Sequence, residues 1–513
     1  MNAPLCALPN ELLLLIVDFV EDKRDLRALA QVSKRYQNFA ESVLYRSTLI
    51  RNSTQSAQLR NALLGRPARA AWIQSINLRP GWYQSRKTLG THMHYVISKC
   101  PNLKEFAVES PTCNYGRWAS GEDAWKHDEQ AILEGLAVLD PSQLSKLTLH
   151  LDGNHDRYWD PNHVGAAQYS WAMVMALPSL VELTVSCALI HDNIAIGKQH
   201  SGNLKILELV ECNITLEGLM RMLAAPKALQ RLHLGENAYH AGQGYDQIRG
   251  QRFNSLFGYD PTSFIKALAQ QCGSLEQLEY VAGEPKFPSK SVNESFENFL
   301  KLREVHLSEH VRDNCRELIL TGAPALQKVY IEVAALKLFE PLIRLEEEQH
   351  VGPGKVQSEL VEKRLGTNIH DALFAEMQNR THPSLQELHV IMPHGPVPIS
   401  GSRRTWIQML AKHWKSRGVT LFLYYKHSTS IFPPILFNET GRAPRDILMF
   451  SQEGGFTEAA NGPDPWGFDS DYSIELADQF PDMVDFLDFD TFWHAEDDWD
   501  AFGDLDFHAS FGL

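Results

Sequence analysis

Residues 203–215 read NLKILELVECNIT. The apolar side chains of this segment follow the spacing apolar-x-x-apolar-x-apolar, and they are Leu204, Leu207 and Leu209. Because side chains alternate along a strand, this spacing predicts a short strand with its leucines on one face. Thr215 stands where it can cap a following helix that begins at Leu216. The segment is therefore predicted to form one strand followed by one helix.

The same spacing recurs ten times along the chain. Two successive intervals are 24 residues, from Leu180 to Leu204, and 25 residues, from Leu204 to Leu229. Longer intervals elsewhere require insertions or degenerate copies. One strand–helix unit cannot bury its own apolar face, whereas stacked units share a continuous core. The ten copies are Ile73-Ile76-Leu78, Leu103-Phe106-Val108, Leu144-Leu147-Leu149, Leu180-Leu183-Val185, Leu204-Leu207-Leu209, Leu229-Leu232-Leu234, Leu275-Leu278-Tyr280, Leu302-Val305-Leu307, Leu326-Val329-Ile331 and Leu385-Leu388-Val390.

These copies resemble leucine-rich repeats of the ribonuclease-inhibitor-like class. Cys212 adds to the resemblance, since it occupies a position where such repeats favour Asn or Cys. The resemblance implies an α/β solenoid in which parallel strands line a concave surface and helices line the convex one. A fold of this kind does not by itself identify a ligand.

Alternate side chains of the predicted strands face outward, between the repeat leucines. Acidic, imidazole and aromatic groups are mixed on this face, so we expect a protein partner rather than nucleic acid. The alternative is an ordinary solvated sheet face. The candidate substrate-binding residues are Glu208, His233, Glu279, His306, Tyr330 and His389.

The first fifty residues predict three short helices. Pro9 suits the first turn of the first helix, Asp25 can cap the second, and Ser33 can cap the third. Residues 12–15 are four consecutive leucines, so they point around the whole first helix. A unit this small cannot cover all of them. From the pattern alone, the surplus leucines either pack on the rest of the chain or form a docking face for another protein.

This opening segment resembles an F-box over roughly residues 7–50. The matching residues are Leu8-Pro9, Glu11-Leu12-Leu13, Ile16, Asp25-Leu26, Leu29, Val32-Ser33-Lys34-Arg35-Tyr36 and Leu44-Tyr45-Arg46. F-box proteins bind a Skp-type adaptor and through it join a cullin–RING ubiquitin ligase, to which they present substrates. The resemblance implies that the residues at or just beneath the adaptor interface are Leu8, Pro9, Leu12, Leu29, Val32 and Tyr36.

The charge of the chain is concentrated at its end. The 48 Lys and Arg residues stand against 63 Asp and Glu, which gives a net charge of −15. Residues 464–513 hold 15 of the acids and no Lys or Arg, so residues 1–463 hold 48 of each sign. The same fifty residues include 12 aromatic side chains. Three interpretations remain open: a disordered interaction segment with the composition of an activation domain, a segment folded back on the repeats, or a solubilising tail.

No catalytic or metal-binding signature occurs in the sequence. The seven cysteines are widely spaced and form no CxxC pair, and we find no phosphate-loop, nucleophile-elbow or metalloprotease pattern. We therefore expect no enzyme activity, cofactor or metal site. The amino terminus lacks a basic region, and its longest apolar run, residues 12–17, is too short for a signal peptide or membrane span. These features predict a cytoplasmic or nuclear protein without a membrane partner.

The predicted organisation is an F-box at 1–50, a linker at 51–70, a leucine-rich-repeat solenoid at 71–425, a second linker at 426–463 and a disordered acidic aromatic tail at 464–513. The predicted function is substrate recognition in a Skp–cullin–F-box ubiquitin ligase, with a protein substrate bound by the repeats. The alternatives are a ligase-independent interaction scaffold and a transcription-linked regulator that acts through the acidic tail.

Overall fold

The computed structural model of the protein describes the greater part of its first 460 residues. Residues 461–513 lie outside the described residues, so the prediction that the acidic tail is disordered stays a prediction. The described residues are 8–20, 22–80, 88–110, 122–139, 143–151, 159, 174–175, 177–190, 192, 194, 202–236, 260–282, 294–308, 322–332, 384–392, 399, 401–427 and 445–460.

A small helical unit opens the chain, as the sequence predicts. Its interior is formed by Leu13 and Val17 from the first helix, Leu26 from the second, and Tyr36 and Ala40 from the third. The apolar residues therefore recur at helical spacing on the faces that meet. The helices are α1 (Asn10–Asp18), α2 (Lys23–Val32) and α3 (Lys34–Arg46).

The ends of these helices agree only in part with the predicted caps. Ser33 caps α3 as predicted, since its hydroxyl accepts a hydrogen bond from the Tyr36 amide at 3.3 Å. The cap of α2 is Asp22 rather than the predicted Asp25, because Asp22 lies just outside the helix and its carboxylate accepts the Arg24 amide at 2.8 Å. Asp25 lies inside the first turn, where its charge favours the helix N-terminus.

A long, mostly parallel sheet follows the helical unit. Its strand order follows the chain from β1 to β13, with β6 pairing with β7 beside this path, and β14 and β15 then join in antiparallel orientation. The strands are β1 (Ser47–Ile50), β2 (Ser75–Leu78), β3 (Glu105–Glu109), β4 (Lys146–His150), β5 (Glu182–Ser186), β6 (Leu189–Ile190), β7 (Ile206–Ile214), β8 (Arg231–Glu236), β9 (Gln277–Val281), β10 (Glu304–Leu307), β11 (Lys328–Glu332), β12 (Glu387–Met392), β13 (Thr420–His427), β14 (Arg445–Ser451) and β15 (Gly455–Phe456).

All ten copies of the apolar pattern coincide with strands of this sheet, namely β2–β5 and β7–β12. The three apolar residues of every copy are buried, and they belong to one continuous core. Burial of a leucine- or valine-sized side chain contributes about 1.5–3 kcal/mol. The repeated pattern therefore supplies the main stabilisation of the sheet and holds neighbouring strands in matching register.

A repeated hydrogen bond marks the point where each strand begins. The carbonyl of Gln74 accepts the amides of Lys104 and Glu105, at 2.8 and 3.0 Å. This doubly accepting geometry recurs at every step to β12, so successive strands start at the same level of the sheet. The carbonyls that accept in the same way are those of Lys104, Ser145, Val181, Lys205, Gln230, Glu276, Arg303 and Gln327.

The predicted first linker is instead part of the packed body. Residues 51–70 contain the helix α4 (Ser53–Gly65) and most of a 3₁₀ helix (Pro67–Trp72). Leu59 and Leu63 lie one turn apart on α4 and are buried in the core of the sheet. The sheet also begins earlier than predicted, because β1 lies within the segment assigned to the F-box.

The predicted second linker also belongs in part to the sheet. Strand β13 continues to His427, two residues beyond the predicted end of the repeats, and residues 445–460 contain β14, β15 and a short 3₁₀ helix (Glu458–Ala460). Met449 and Phe450 of β14 are buried in the common core. Residues 428–444 lie outside the described residues.

Helices pack beside the sheet between several of its strands. Thr215 caps the helix α7 (Leu216–Ala224) as predicted, since its hydroxyl accepts the Gly218 amide at 3.0 Å. Within the described ranges, no helix has the length and apolar character needed to cross a membrane. The helices are α5 (Leu89–Lys99), α6 (Glu122–Ala137), α7 (Leu216–Ala224), α8 (Pro261–Ala269) and α9 (Gly401–Lys415).

Helices α5 and α6 approach each other closely at Gly90. The buried Asp128 carboxylate of α6 accepts the Gly90 amide at 2.9 Å, and so satisfies one of the free amides in the first turn of α5. A Cβ atom placed at Gly90 would lie 2.5 Å from both the Cα atom and the carbonyl oxygen of Asp128. Only a glycine fits here without movement of the backbone.

We predict that Gly90→Ala destabilises the protein by roughly 1–3 kcal/mol or more, because the methyl group meets backbone atoms that cannot rotate away. Gly65→Ala at the end of α4 is the matched control, since nothing lies within 4 Å of a Cβ there. Urea unfolding followed by circular dichroism compares the two variants. Equal midpoints for Gly90→Ala and Gly65→Ala would contradict the close contact of α5 with α6.

Candidate functional site

Helix α1 carries two apolar faces. Leu13 and Val17 point into the helical unit, whereas Leu12, Leu14, Leu15, Ile16 and Phe19 are exposed. Four of the exposed residues, Leu12, Leu15, Ile16 and Phe19, have the spacing i, i+3, i+4 and i+7, so they form one stripe along the helix. Leu15 is 55% exposed and Phe19 is 84% exposed. A contiguous apolar stripe of this kind on the surface of a folded protein often marks a site where a partner binds.

The predicted adaptor-binding residues divide into three groups. Pro9, Leu12 and Val32 are exposed, and Val32 is 67% exposed. Leu8 and Leu29 are half-buried. Tyr36 is buried and forms part of the interior of the unit, so it supports the surface rather than lining it. Their role in adaptor binding stays a prediction.

The predicted adaptor-binding residues did not include Leu15, Ile16 or Phe19. All three belong to the α1 stripe, defined here as Leu12, Leu15, Ile16 and Phe19. The run of four leucines indicated an excess of apolar side chains, but it did not show which of the leucines face the interior of the helical unit. The i, i+3, i+4, i+7 spacing from Leu12 to Phe19 was the available signal, and the assignment of Leu13 and Val17 to the interior required the packing of α1 on α3.

Polar contacts hold α1 against α3. Arg46 of α3 forms a salt bridge with Asp18 at 2.7 Å, and the Arg35 guanidinium donates a hydrogen bond to the Leu8 carbonyl at 2.6 Å. The same guanidinium donates to the Asn10 side chain at 3.0 Å. These contacts lie at both ends of α1, and they set the direction in which the α1 stripe faces.

A buried ion pair joins the helical unit to the body of the protein. Glu41 of α3 accepts hydrogen bonds from Arg69 at 2.6 and 3.1 Å and from Arg66 at 2.7 Å. Burial alone would raise the pKa of Glu41, but the hydrogen bonds from Arg69 and Gln37 outweigh burial and lower it. The guanidinium of Arg69 also lies 5.3 Å from the centre of the Tyr45 ring. Removal of Glu41 would leave the buried Arg69 guanidinium without its carboxylate partner.

The second candidate surface is a row of side chains across the sheet. Strand register places one outward position of each strand directly beside the next, from β5 to β13. All six candidate substrate-binding residues occupy this row, which we call the central row. Its members in order are Thr184, Glu208, His233, Glu279, His306, Tyr330, His389 and Phe422.

The first half of the central row is a chain of ionic contacts. His233 Nδ1 lies 2.9 Å from one carboxylate oxygen of Glu279, and His306 Nδ1 lies 3.3 Å from the other. His306 Nε2 lies 3.6 Å from Glu332, which also forms a salt bridge with Lys426. The two histidines and two carboxylates therefore alternate along the sheet.

This alternation shifts the pKa values of the central residues. Burial acts to raise the pKa of Glu279, but the hydrogen bond from His233 and the charges of His233, His306 and Arg231 lower it to about 2. Burial also acts to raise the pKa of Glu332, but His306 and Lys426 outweigh burial and lower the pKa to about 2. Burial acts to lower the pKa of His306, but Glu332 and Glu279 outweigh it and raise the value. The two carboxylates therefore favour the charged form of His306.

The second half of the central row is aromatic. The Tyr330 and His389 rings stack with centroids 4.1 Å apart, and His389 stacks on Phe422 at 4.6 Å. His389 also contacts Glu387 through Nε2 at 3.0 Å and the Tyr424 hydroxyl through Nδ1 at 3.2 Å. These contacts cover the imidazole.

The expectation that His389 faces outward for substrate binding is therefore corrected. Its exposed fraction is 5%, because the neighbouring rings of Tyr330 and Phe422 enclose it. Burial lowers the pKa of His389, and Glu387 opposes that shift only in part. The other five candidates, Glu208, His233, Glu279, His306 and Tyr330, are half-buried at the surface of the sheet.

The central row offers charged, hydrogen-bonding and aromatic groups along a single line. Such an arrangement can recognise the side chains of a polypeptide through paired charges and ring contacts. In the part of the chain that the structure describes, no group of three or more His, Cys, Asp or Glu side chains is placed to hold a metal ion.

We predict that His306 titrates above its ordinary value of 6.5 and that Glu279→Gln lowers its pKa, since the substitution removes one of the two carboxylates facing the imidazole. NMR titration of the imidazole signals measures both values, with His306→Gln identifying the resonance. Glu304→Gln, a neutralised carboxylate on the same strand, is the matched control. A His306 pKa at or below 6.5 in the unsubstituted protein would contradict the ionic chain.

The same shifts predict how the stability of the cluster depends on pH. The lowered pKa values of Glu279 and Glu332 contribute stability that is complete above 4.5 and is lost as the pH falls towards their folded values. The raised pKa of His306 contributes stability that is complete below 6.5 and is lost as the pH rises through its folded value. The difference in unfolding free energy between the unsubstituted protein and Glu279→Gln should therefore be greatest between pH 4.5 and 6.5, as urea titrations at a series of pH values would show.

Comparison with known proteins finds a family match for the segment that carries the α1 stripe. Residues 5–51 match the F-box-like family, a segment of 47 of the 513 residues that contains α1, α2 and α3. No curated protein matches the chain at a significant level. The F-box prediction is confirmed for this segment, and the leucine-rich-repeat interpretation of the sheet stays a prediction.

Proposed function

We propose that this protein is a substrate-recognition subunit of a Skp–cullin–F-box ubiquitin ligase. The F-box-like segment binds a Skp-type adaptor, which connects the chain to a cullin–RING ligase, and the sheet binds a protein substrate. The chain itself performs no catalysis and requires no cofactor in this proposal. It acts in the cytoplasm, the nucleus or both.

The α1 stripe is the observation that carries the proposal. F-box segments generally bind Skp-type adaptors, and in this chain the matching segment exposes four large apolar side chains at helical spacing. Complete burial of one such side chain contributes about 1.5–3 kcal/mol. The described body of the protein leaves these groups open, so their burial remains available to stabilise a complex.

The junction between the helical unit and the sheet supports a receptor role. Helix α3 leads directly into β1, and the buried contacts of Glu41 with Arg66 and Arg69 fix the helical unit against the 3₁₀ helix. A substrate held on the sheet would then keep a defined position relative to the adaptor. Without such a connection, the bound substrate would sample many positions relative to the ligase.

We interpret the parallel sheet as a leucine-rich-repeat solenoid. Ten copies of the apolar pattern form successive strands, the doubly accepting carbonyl recurs at each step, and α7 and α8 follow strands in the order that a strand–helix repeat requires. Solenoids present extended surfaces to protein partners. The central row is the part of that surface that we assign to the substrate.

We predict that Leu15→Asp combined with Phe19→Asp abolishes co-purification of a recombinant Skp-type adaptor with the full chain, because both charges would have to be desolvated at the interface. Loss of two buried side chains, about 3–6 kcal/mol, corresponds to at least a ~100-fold weaker affinity. Leu8→Ala combined with Pro9→Ala is also expected to abolish adaptor co-purification, because these two residues immediately precede α1. Calorimetry or quantitative pull-down measures the affinity.

The matched control is Val138→Asp combined with Leu300→Asp, since these residues are 60% and 67% exposed outside the F-box-like segment. The control should bind the adaptor as the unsubstituted chain does. Undiminished adaptor recovery by the Leu15 and Phe19 variant would contradict the proposal. Adaptor binding without associated cullin would favour the ligase-independent scaffold instead.

We predict that Glu208→Lys combined with Tyr330→Ala releases the substrate while adaptor binding is unchanged, because the two residues lie in the central row far from the α1 stripe in the sequence. Glu217→Lys on α7 is the control: Glu217 pairs with Arg221 as Glu208 pairs with Arg231. Mass spectrometry of ubiquitylated proteins that co-purify with each full-length variant measures substrate capture. The proteins to compare are those whose ubiquitylation is lost in the α1-stripe variant. If the central-row variant still captures all of these proteins, the assignment of substrate binding to the central row is wrong.

A further inference from the structure

Helix α9 and the turn that follows it form a basic segment of the described chain. Residues 401–418 contain five Lys and Arg and no Asp or Glu. Two lysines on strands of the sheet are paired with acids: Lys146 lies 2.8 Å from Glu182, and Lys328 lies 2.8 Å from Glu387. Residues 401–418 contain no acidic partner of this kind within their own sequence.

One face of α9 is buried and the other carries lysines. Its buried residues are Trp406, Ile407, Leu410, Ala411 and Trp414, which belong to the common core. Lys412 and Lys415 are exposed in the last turns of the helix, and within the described residues neither forms a salt bridge with a carboxylate. Cations in the last turn of a helix are favoured by its dipole, and this accounts for the position of the two lysines.

The described chain ends against the same helix. The Arg404 guanidinium donates a hydrogen bond to the Ala460 carbonyl at 2.8 Å, and it lies 5.1 Å from the centre of the Phe456 ring. Ala460 is itself buried. The last described residue before the acidic tail therefore lies beside the first turns of α9.

The sequence beyond this point has the complementary charge. Residues 464–513 contain 15 Asp and Glu and no Lys or Arg, and the first of these acids are Asp464, Asp469 and Asp471. Eleven residues separate Ala460 from Asp471, and they span up to roughly 36–40 Å when extended. Eleven residues also separate Arg404 from Lys415, which is about 16 Å along a helix. The early acids of the tail can therefore reach both lysines.

We propose that the acidic tail of this chain, residues 464–513, docks in cis on the basic surface of α9, with Lys412 and Lys415 as its principal contacts. The attraction is electrostatic and weakens with added salt, since exposed ion pairs are screened. A short tether raises the local concentration of the tail at this surface above that of a free anionic partner. The proposal is independent of the F-box assignment.

Zero-length carbodiimide crosslinking of the full chain tests this contact, because the reagent joins a carboxylate to a lysine amine only when the two touch. Mixing unlabelled chains with ¹⁵N-labelled chains distinguishes links within one molecule from links between two. We expect links from Asp464, Asp469 or Asp471 to Lys412 or Lys415 within one molecule, and their loss at high salt.

Hydrogen exchange provides a readout that does not depend on the lysine amines. Lys412→Glu combined with Lys415→Glu should increase the exchange rate of tail amides severalfold, whereas Lys412→Arg combined with Lys415→Arg should preserve their protection. Lys205→Glu combined with Lys227→Glu is the matched control, since both lysines are exposed outside α9.

Three results would overturn the proposal. The first is crosslinking of the tail to Lys205 and Lys227 as readily as to the α9 lysines. The second is tail exchange that the Lys412 and Lys415 reversal leaves unchanged. The third is crosslinking found only between labelled and unlabelled chains, which would assign the surface to a second copy of the protein.

Discussion

Burial of three apolar side chains from each successive strand is the constraint on which the rest of this structure depends. A single strand cannot cover Leu204, Leu207 and Leu209, so each unit needs its neighbours on both sides. The shared core keeps the strands parallel, and the repeated doubly accepting carbonyls keep their starts level. The outward residues of successive strands then lie side by side, even without favourable contacts between their side chains, and this alignment produces the central row.

The central row shows how such a shared register changes the chemistry of its members. His306 and His389 occupy equivalent positions two strands apart, yet His306 lies between two carboxylates and His389 lies between two aromatic rings. The pKa of His306 is raised and that of His389 is lowered. One sheet therefore presents a charged half and an aromatic half, and a polypeptide lying across it would meet both.

The helical unit differs from the sheet, because it has more apolar side chains than its small interior can bury. Leu13 and Val17 fill its small interior, and the α1 stripe is left over. The buried contacts of Glu41 attach this unit to the 3₁₀ helix, while the stripe stays open. In the proposed receptor, the adaptor covers the stripe, and the same attachment relates the adaptor to the substrate on the sheet.

The sequence by itself determined the strands of the repeat, because period-two apolar spacing leaves one face that must be buried, and all ten copies form strands. It also determined the F-box-like segment and the central row, since both follow from spacing along the chain. Only the tertiary structure decided that residues 51–70 are helical, that Asp22 caps α2, and that His389 is enclosed. These features depend on contacts between segments far apart in the sequence, such as the packing of Leu59 on the core or of His389 between Tyr330 and Phe422. Local spacing does not indicate which distant segment a residue contacts, because several different partners could cover the same residue types.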